Sequence, residues 1–338
     1  MTAHEVGSPQ LPSLHLFGGG HWDVTQPSTR GEEYGPRARE RNGRAGSCLS
    51  PFALAVFVIL LSCGCLFLAG IGVVQWTGGP TNVLILGLDR RPNQGLTVRS
   101  DVIMLVTAYP QGPRLGLLSI PRDLYVEIPG YGENRINTAH FWGEREGAGG
   151  GPGLAMETVA HNFNVPMNHY VRVDFEGFRA VVDAVGGIDI VVDTAIVDSA
   201  YPTDDYGTQR IEIPAGPQRM DGERALQYVR TRRGASDFER AERQQQVLKA
   251  LMRQMMRPAN WTRLPAVFLA VTGHVETNLG PVEMVRLSVT ALMVGEDGME
   301  HHVIDREMTR SWTTPTGGAV LLPRWEMIDP LVEDLFGQ

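Results

Sequence analysis

From Pro51 to Trp76 the chain reads PFALAVFVILLSCGCLFLAGIGVVQW, a run without a single charged side chain. At a helical rise of about 1.5 Å per residue it is long enough to cross a hydrocarbon core of about 30 Å, so it separates what lies on either side. Arg37, Arg39, Arg41 and Arg44 precede it, whereas the first basic residues after it are Arg90 and Arg91. The positive-inside rule therefore places residues 1–50 in the cytoplasm as a short tail and residues 77–338 outside the cell membrane. The long preceding tail and the length of the apolar run favour an uncleaved single-span anchor over a signal peptide. Leu60-Leu61-Ser62 ahead of Cys63 matches a lipoprotein cleavage site only loosely.

The tail is rich in Gly, Pro, Ser and charge and is expected to be disordered. Cys48, Cys63 and Cys65 are the only cysteines, so the domain after Trp76 must be held by its core rather than by disulfides. Arginines and acids balance through Trp76, which leaves the whole net charge of −8 on that external domain. Its acidity and its side of the membrane argue against nucleic acid as a partner. Lys249 is the sole lysine, and every other basic side chain apart from histidine is arginine.

Against this acidic background Arg230, Arg232, Arg233, Arg240 and Arg243 crowd into RTRRGASDFERAERQ. Ser236 and Glu239 have capping-box spacing, which predicts a helix over 237–256. Arg240, Arg243 and Gln244 then fall at i, i+3 and i+4 near its N-terminus, where free amides favour an anion. Arg230 and Arg232, two apart, would point the same way from an extended segment. A solvated helix whose Asp237, Glu239 and Glu242 offset the arginines is one reading; a phosphate or pyrophosphate clamp is the other.

Apolar runs predict strands at 82–88, 101–108, 115–120, 170–173 and 188–192, with helices at 154–163, 175–185, 222–229, 237–256, 281–294 and 324–335. Strands that look buried on both faces, interleaved with amphipathic helices, imply an α/β domain with a mixed central sheet and helices on both sides. Gly147 to Gly153 lacks the Lys-Ser/Thr end of a phosphate-cradling loop and reads as a plain lead into a helix opened by Pro152.

Asp89 closes the first strand and Asp101 opens the second, so neighbouring strand ends can bring two carboxylates to one hard cation, or each can be an ordinary turn or edge residue. Pro121 ends the third strand and delivers Arg122 and Asp123 to its C-terminal edge, where α/β ligands gather; a surface ion pair is the alternative. No nucleophile elbow, external cysteine or H-E-x-x-H helix is present, and His161, His169, His301 and His302 lack zinc-site spacing.

The ordered series VLILGLD, RSD, SIPRD, RINTAH, GPGLAMETV, VDFEGF, VDAVGGIDI, ALQYVRTR and DFERAERQQQVL, over about residues 80–255, resembles the LytR-CpsA-Psr family. The anchor and short tail also fit that family. The resemblance implies a phosphotransferase outside the membrane that moves a glycopolymer from a polyprenyl-pyrophosphate carrier to a sugar hydroxyl of peptidoglycan. It also implies contact with membrane lipid through the carrier. Asp89 and Asp101 correspond to carboxylates associated with Mg²⁺, with Mn²⁺ as an alternative ion, and either could be the general base. Arg99, Arg122, Arg230, Arg232, Arg240, Arg243 and Gln244 correspond to polar groups around the pyrophosphate, with Arg122 among the catalytic set. The stripe Phe175, Phe178, Val181, Val182 and Val185 could line a polyprenyl tunnel or simply be core. Departures from the family pattern are Arg135 in a position often lysine, His140 in a position often aromatic, and Glu144-Arg145-Glu146, which reads as extra loop. A noncatalytic envelope module binding anionic lipid or polymer, and a polyprenyl-pyrophosphate phosphatase using water, are the competing functions.

Overall fold

The computed structural model describes residue 72 and residues 79–90, 94–203, 207–231, 237–295 and 298–337. The expected tail, all but one residue of the expected membrane helix, Arg232, Arg233 and Ser236 lie outside the described residues. Among those described, no helix is long and apolar enough to cross a membrane.

Three apolar strands, β1 (Thr81–Leu88), β2 (Ser100–Tyr109) and β3 (Arg114–Ser119), form an antiparallel meander at the centre of the sheet. The chain then makes a hairpin, β4 (Tyr125–Ile128) with β5 (Gly132–Arg135), and two helices, α1 (Thr138–Glu146) and α2 (Gly150–Phe163). It returns as β6 (His169–Asp174), parallel to β1, and turns into α3 (Phe175–Ala184). Asp174 caps α3 by accepting a 2.9 Å hydrogen bond from the Gly177 amide.

Four short strands follow, β7 (Ile188–Val192), β8 (Ile196–Pro202), β9 (Thr208–Ile213) and β10 (Gly216–Met220), pairing β7 with β10 and β8 with β9. Next come α4 (Gly222–Arg230), α5 (Asp237–Met256), a 3₁₀ turn at Pro258–Arg263 and α6 (Leu264–His274). β11 (Val275–Thr277) adds antiparallel to β6, and after α7 (Pro281–Val294) β12 (Met299–Val303) adds parallel to β3. The order of the mixed sheet is thus β11-β6-β1-β2-β3-β12. A last hairpin, β13 (Thr309–Thr313) with β14 (Ala319–Pro323), leads into α8 (Trp325–Phe336).

Alternation along the central strands assigns the two faces. Leu84, Leu86, Ile103, Leu105 and Leu118 pack under α1, α2 and α8 with Ala139, Val159, Phe163, Ile328 and Leu335. The intervening Ile85, Met104, Val106 and Leu117 pack under α5 and α7 with Leu248, Met252 and Leu287. Both faces are covered by helices, which is why these strands read as continuous apolar runs. A separate apolar cluster joins α3, α4 and α5 to β7 and β10 through Val182, Val185, Ile188, Ile190, Met220 and Val247.

Several expectations need correction. Ile188–Val192 is not a strand of the central sheet but pairs only with β10, and Val191 is 62% exposed on it. Gly150–Gly153 belongs to α2, which starts two residues before Pro152 from Gly149 in a left-handed turn at φ 82°. A Cβ on Gly151 would lie 2.8 Å from the His140 carbonyl oxygen, so glycine lets α1 and α2 touch backbone to backbone. Glu144-Arg145-Glu146 is the last turn of α1 rather than loop. Glu144 is buried because Arg172 of β6, itself 3% exposed, donates to it and also to Glu276 of β11. His140 lies beneath the same guanidinium, its Nδ1–H donating 2.7 Å to the Val98 carbonyl and its Nε2 3.2 Å from Arg172 Nη1. Burial first, and then the Arg172 charge, hold its pKa below the usual imidazole value, in keeping with a neutral ring.

Candidate functional site

The sequence puts carboxylates at the adjoining ends of β1 and β2, and the ladder between these strands contains an irregularity there. Gly87 pairs with Val102 and Leu88 with Ser100, which leaves Asp101 as the extra residue of a β-bulge. A Cβ on Gly87 would stand 2.8 Å from Val102 Cβ, so the close approach of the strands depends on glycine. The bulge and the end of β1 bring Asp101 and Asp89 to the wall of one cleft of roughly 330 Å³.

Opposite them stand Arg230 from the last turn of α4 and Arg240 and Gln244 from the first two turns of α5. Arg230 donates 3.3 Å to Asp89 Oδ1 and 3.2 Å to the Pro202 carbonyl, and its guanidinium lies 4.2 Å from the centroid of the Phe175 ring and 5.6 Å from that of Tyr201. Stacking and two hydrogen bonds fix the plane of the guanidinium. Arg122 donates 3.0 Å to Asp101 Oδ1 and lies 3.4 Å from Asp123, which also meets Arg135 at 3.2 Å. Burial would lower the Arg122 pKa, but the Asp101 and Asp123 carboxylates outweigh it and the net shift is upward.

Two buried contacts hold the arginine-bearing helices in place. Thr231, just after Arg230, donates 2.7 Å to Asp198 of β8. Gln245 reaches from α5 to Ser119 Oγ and the His302 carbonyl, both at 2.8 Å, which ties the helix to the ends of β3 and β12. The remaining cleft wall is apolar: Val102, Phe175, Leu226 and Val229, with Ala200 and Pro202 of β8.

Asp89, Asp101, Arg230, Arg240 and Gln244 thus line one cleft, and Arg122 joins it through Asp101. Arg243 does not line it; its guanidinium lies 5.6 Å from the centroid of the buried Tyr228 ring. Arg99 is exposed ahead of the bulge, and Arg232 lies outside the described residues. Of the apolar stripe on α3, Phe175 lines the cleft while Val182 and Val185 are core. Pro202, Ala200 and Asp198 were not singled out from the sequence; an Asp with Ala and Pro in a short half-exposed strand carries no signal of its own, and only the partner Thr231 reveals Asp198.

Among the described residues no three His, Cys, Asp or Glu side chains gather into a metal cluster. The donor set of the cleft, two carboxylates facing arginines that can hold phosphate oxygens, nevertheless fits Mg²⁺, which takes one or two carboxylates and completes its shell with water and substrate oxygens.

A sequence profile of the LytR_cpsA_psr family matches residues 73–319. Among curated relatives, the polyisoprenyl-teichoic acid–peptidoglycan teichoic acid transferase TagU of Oceanobacillus iheyensis is 36% identical over 200 residues, 59% of this chain and 58% of that protein. The chain therefore spans little more than half the length of this relative. The Bacillus subtilis TagV crystal structure superposes with a TM-score of 0.63 at 27% identity, covering 76% of this chain and 97% of that one. A TagT structure, described as bound to LIIa-WTA, gives 0.61 at 26% identity and covers 77% and 92%.

Proposed function

Since the chain belongs to the LytR_cpsA_psr family, we propose that it transfers a glycopolymer from a polyprenyl-pyrophosphate carrier to a peptidoglycan sugar hydroxyl, outside the membrane and anchored by residues 51–76. The observation that carries this reading is the single cleft shared by Asp89, Asp101, Arg230, Arg240 and Gln244 beside an apolar wall. The named activity of the TagU relative supports it.

In this mechanism the arginines do most of the work. A pyrophosphate carries charge that grows on the bridging oxygen as the P–O bond breaks, and Arg230 and Arg240 lie where they can neutralise it without reorganising. Gln244 adds a neutral donor one helical turn beyond Arg240. The acceptor hydroxyl oxygen forms a bond to the phosphorus bearing the glycopolymer. The bond from that phosphorus to the bridging oxygen breaks, and its electron pair leaves with polyprenyl phosphate. The hydroxyl proton passes to Asp89 or Asp101, each oriented by its own arginine, Arg230 or Arg122. Val102, Phe175, Leu226 and Val229 would take the first isoprene units of the carrier and keep water away. Mg²⁺ or Mn²⁺, held by Asp89 and Asp101, would supply additional charge neutralisation for the phosphate oxygens.

The test is transfer by the full chain in detergent, with polyprenyl-pyrophosphate-linked polymer and peptidoglycan as substrates and Mg²⁺ present. The expected product is a polymer joined to sugar through a phosphodiester, absent with Asp101→Ala and with Arg230→Ala. Release of phosphate without a polymer–sugar product would instead mark a phosphatase, and carrier binding without turnover in any divalent ion would mark a noncatalytic module.

A further inference from the structure

A second depression, of about 780 Å³, lies where the β4–β5 hairpin, the β13–β14 hairpin and the start of α8 meet. None of its residues belongs to the arginine cleft. Its aromatic surface comes from Tyr125 and Trp312, whose rings meet edge to face at 5.6 Å and 65°. Trp312 stays 38% exposed, a large apolar face left open to solvent. Around the rings stand Glu133, Arg310, Arg324 and Glu326, all exposed. Among the described residues, the side chains of Glu133, Arg310 and Glu326 form no hydrogen bond or ion pair with one another or with other side chains.

We propose that this groove binds a glycan strand, an uncharged or weakly charged chain of linked sugars, and that it is the acceptor subsite of the enzyme. Three observations converge on that chemistry. An open aromatic face suits the C–H face of a sugar ring, as it suits other flat amphipathic surfaces. Carboxylates accept from hydroxyls while guanidiniums donate to them, and the groove carries both kinds side by side. Glu127, Glu133 and Glu326 slightly outnumber Arg310 and Arg324 along its length, so the groove has no pull on a polyanionic polymer.

Covalent continuity ties this groove to the cleft. Arg122, which holds Asp101, is three residues from Tyr125. The Asp123 carbonyl accepts a 3.0 Å hydrogen bond from the Leu321 amide, and Leu124 bridges to Leu321, so the β13–β14 hairpin that presents Trp312 is docked on the segment that presents Arg122. Arg135 spans the same junction, reaching Asp123 on one side and the Ala319 carbonyl on the other. A sugar chain lying on Tyr125 and Trp312 would approach the carboxylates along this segment.

The role as acceptor rests on the transfer reaction proposed above; glycan binding itself does not. The experiment is a calorimetric titration of the full chain in detergent with a soluble β-linked N-acetylglucosamine tetrasaccharide, and in parallel with inorganic pyrophosphate. Trp312→Ala should raise the sugar Kd at least about tenfold, about 1.4 kcal/mol, and Trp312→Phe should restore much of it. Arg310→Ala, at an exposed position, covers the case in which the tryptophan variant fails to fold. Neither change should alter pyrophosphate binding, whereas Arg240→Ala should weaken pyrophosphate and leave the sugar Kd unchanged. No sugar binding by the unsubstituted chain, or an unchanged Kd in both groove variants, overturns the inference. Sugar binding that persists in a chain showing no transfer would remove the reaction and leave the groove.

Discussion

The arginine cleft and the aromatic groove share a stretch of chain but are made in opposite ways. In the cleft each carboxylate is matched to an arginine at 3.0 to 3.3 Å, and the Arg230 guanidinium plane is fixed by two rings and the Pro202 carbonyl. In the groove Glu133, Arg310 and Glu326 stand in solvent around open rings. A site that must meet concentrated charge in one geometry gains from fixed dipoles, because no reorganisation is left to do at the moment of reaction. A surface that meets many similar hydroxyls gains more from shape and replaceable contacts, which cost little to desolvate. The same short loop, Pro121 to Leu124, serves a rigid element on one side and a permissive one on the other.

Asp101→Ala should break the contrast most sharply. With the carboxylate gone and the half-buried Arg122 left to Asp123 alone, transfer in a steady-state assay should fall by about 10³-fold, on the scale of losing a preorganised catalytic group, while sugar binding at the groove stays as it was. Equal loss at both places would mean that the loop, not the carboxylate, was damaged. Glu144→Ala should do the reverse, weakening both regions through the scaffold beneath them. Removing one partner of a buried ion pair costs about 3 to 5 kcal/mol, and the remaining Glu276 contact places this case toward the lower end; urea unfolding measures it. Smaller again is Gly87→Ala, which overpacks Val102 at the bulge. We expect a loss of about 1 to 3 kcal/mol in stability and slower transfer, with the groove's sugar Kd unchanged.

The gentlest probe is pH. Because the folded-state pKa of His140 is held below its ordinary value of 6.5 by burial and by Arg172, the unfolded chain takes up the proton first on acidification. Stability contributed by the neutral ring is therefore present above the unfolded pKa and declines as pH falls through and below it. His140→Gln should flatten the thermal unfolding profile over about pH 7 to 5, without changing the relative response of cleft and groove to their ligands.

The two regions also differ in how plainly the chain announces them. The strands of the meander begin and end within one residue of their apolar runs, and α5 and α7 match theirs, because burial on two sheet faces or along one helical stripe leaves a periodic record. Most of the cleft was readable for the same reason, since its residues sit at the ends of those periodic elements. Arg243 was not, because helical spacing places it near Arg240 but only packing turns it toward Tyr228. The groove was silent. Gly132–Arg135 contains no apolar residue to set a strand pattern, and β13 is exposed at four of its five positions. Glu144 was misread as loop because its burial depends on Arg172, on a strand that follows the whole of the next helix.

The bulge at Asp101 has one more consequence. Ile103 and Leu105 face the core under α1 and α2, and simple alternation would carry that face on to position 101. One additional residue resets the parity of the strand, so that a charge can follow a greasy sequence without being folded into it. In this chain, then, the acid is admitted by counting rather than by composition: deleting position 101 would close the ladder into a regular one, with Ser100 still opposite Leu88, and would leave the strand no place for a carboxylate.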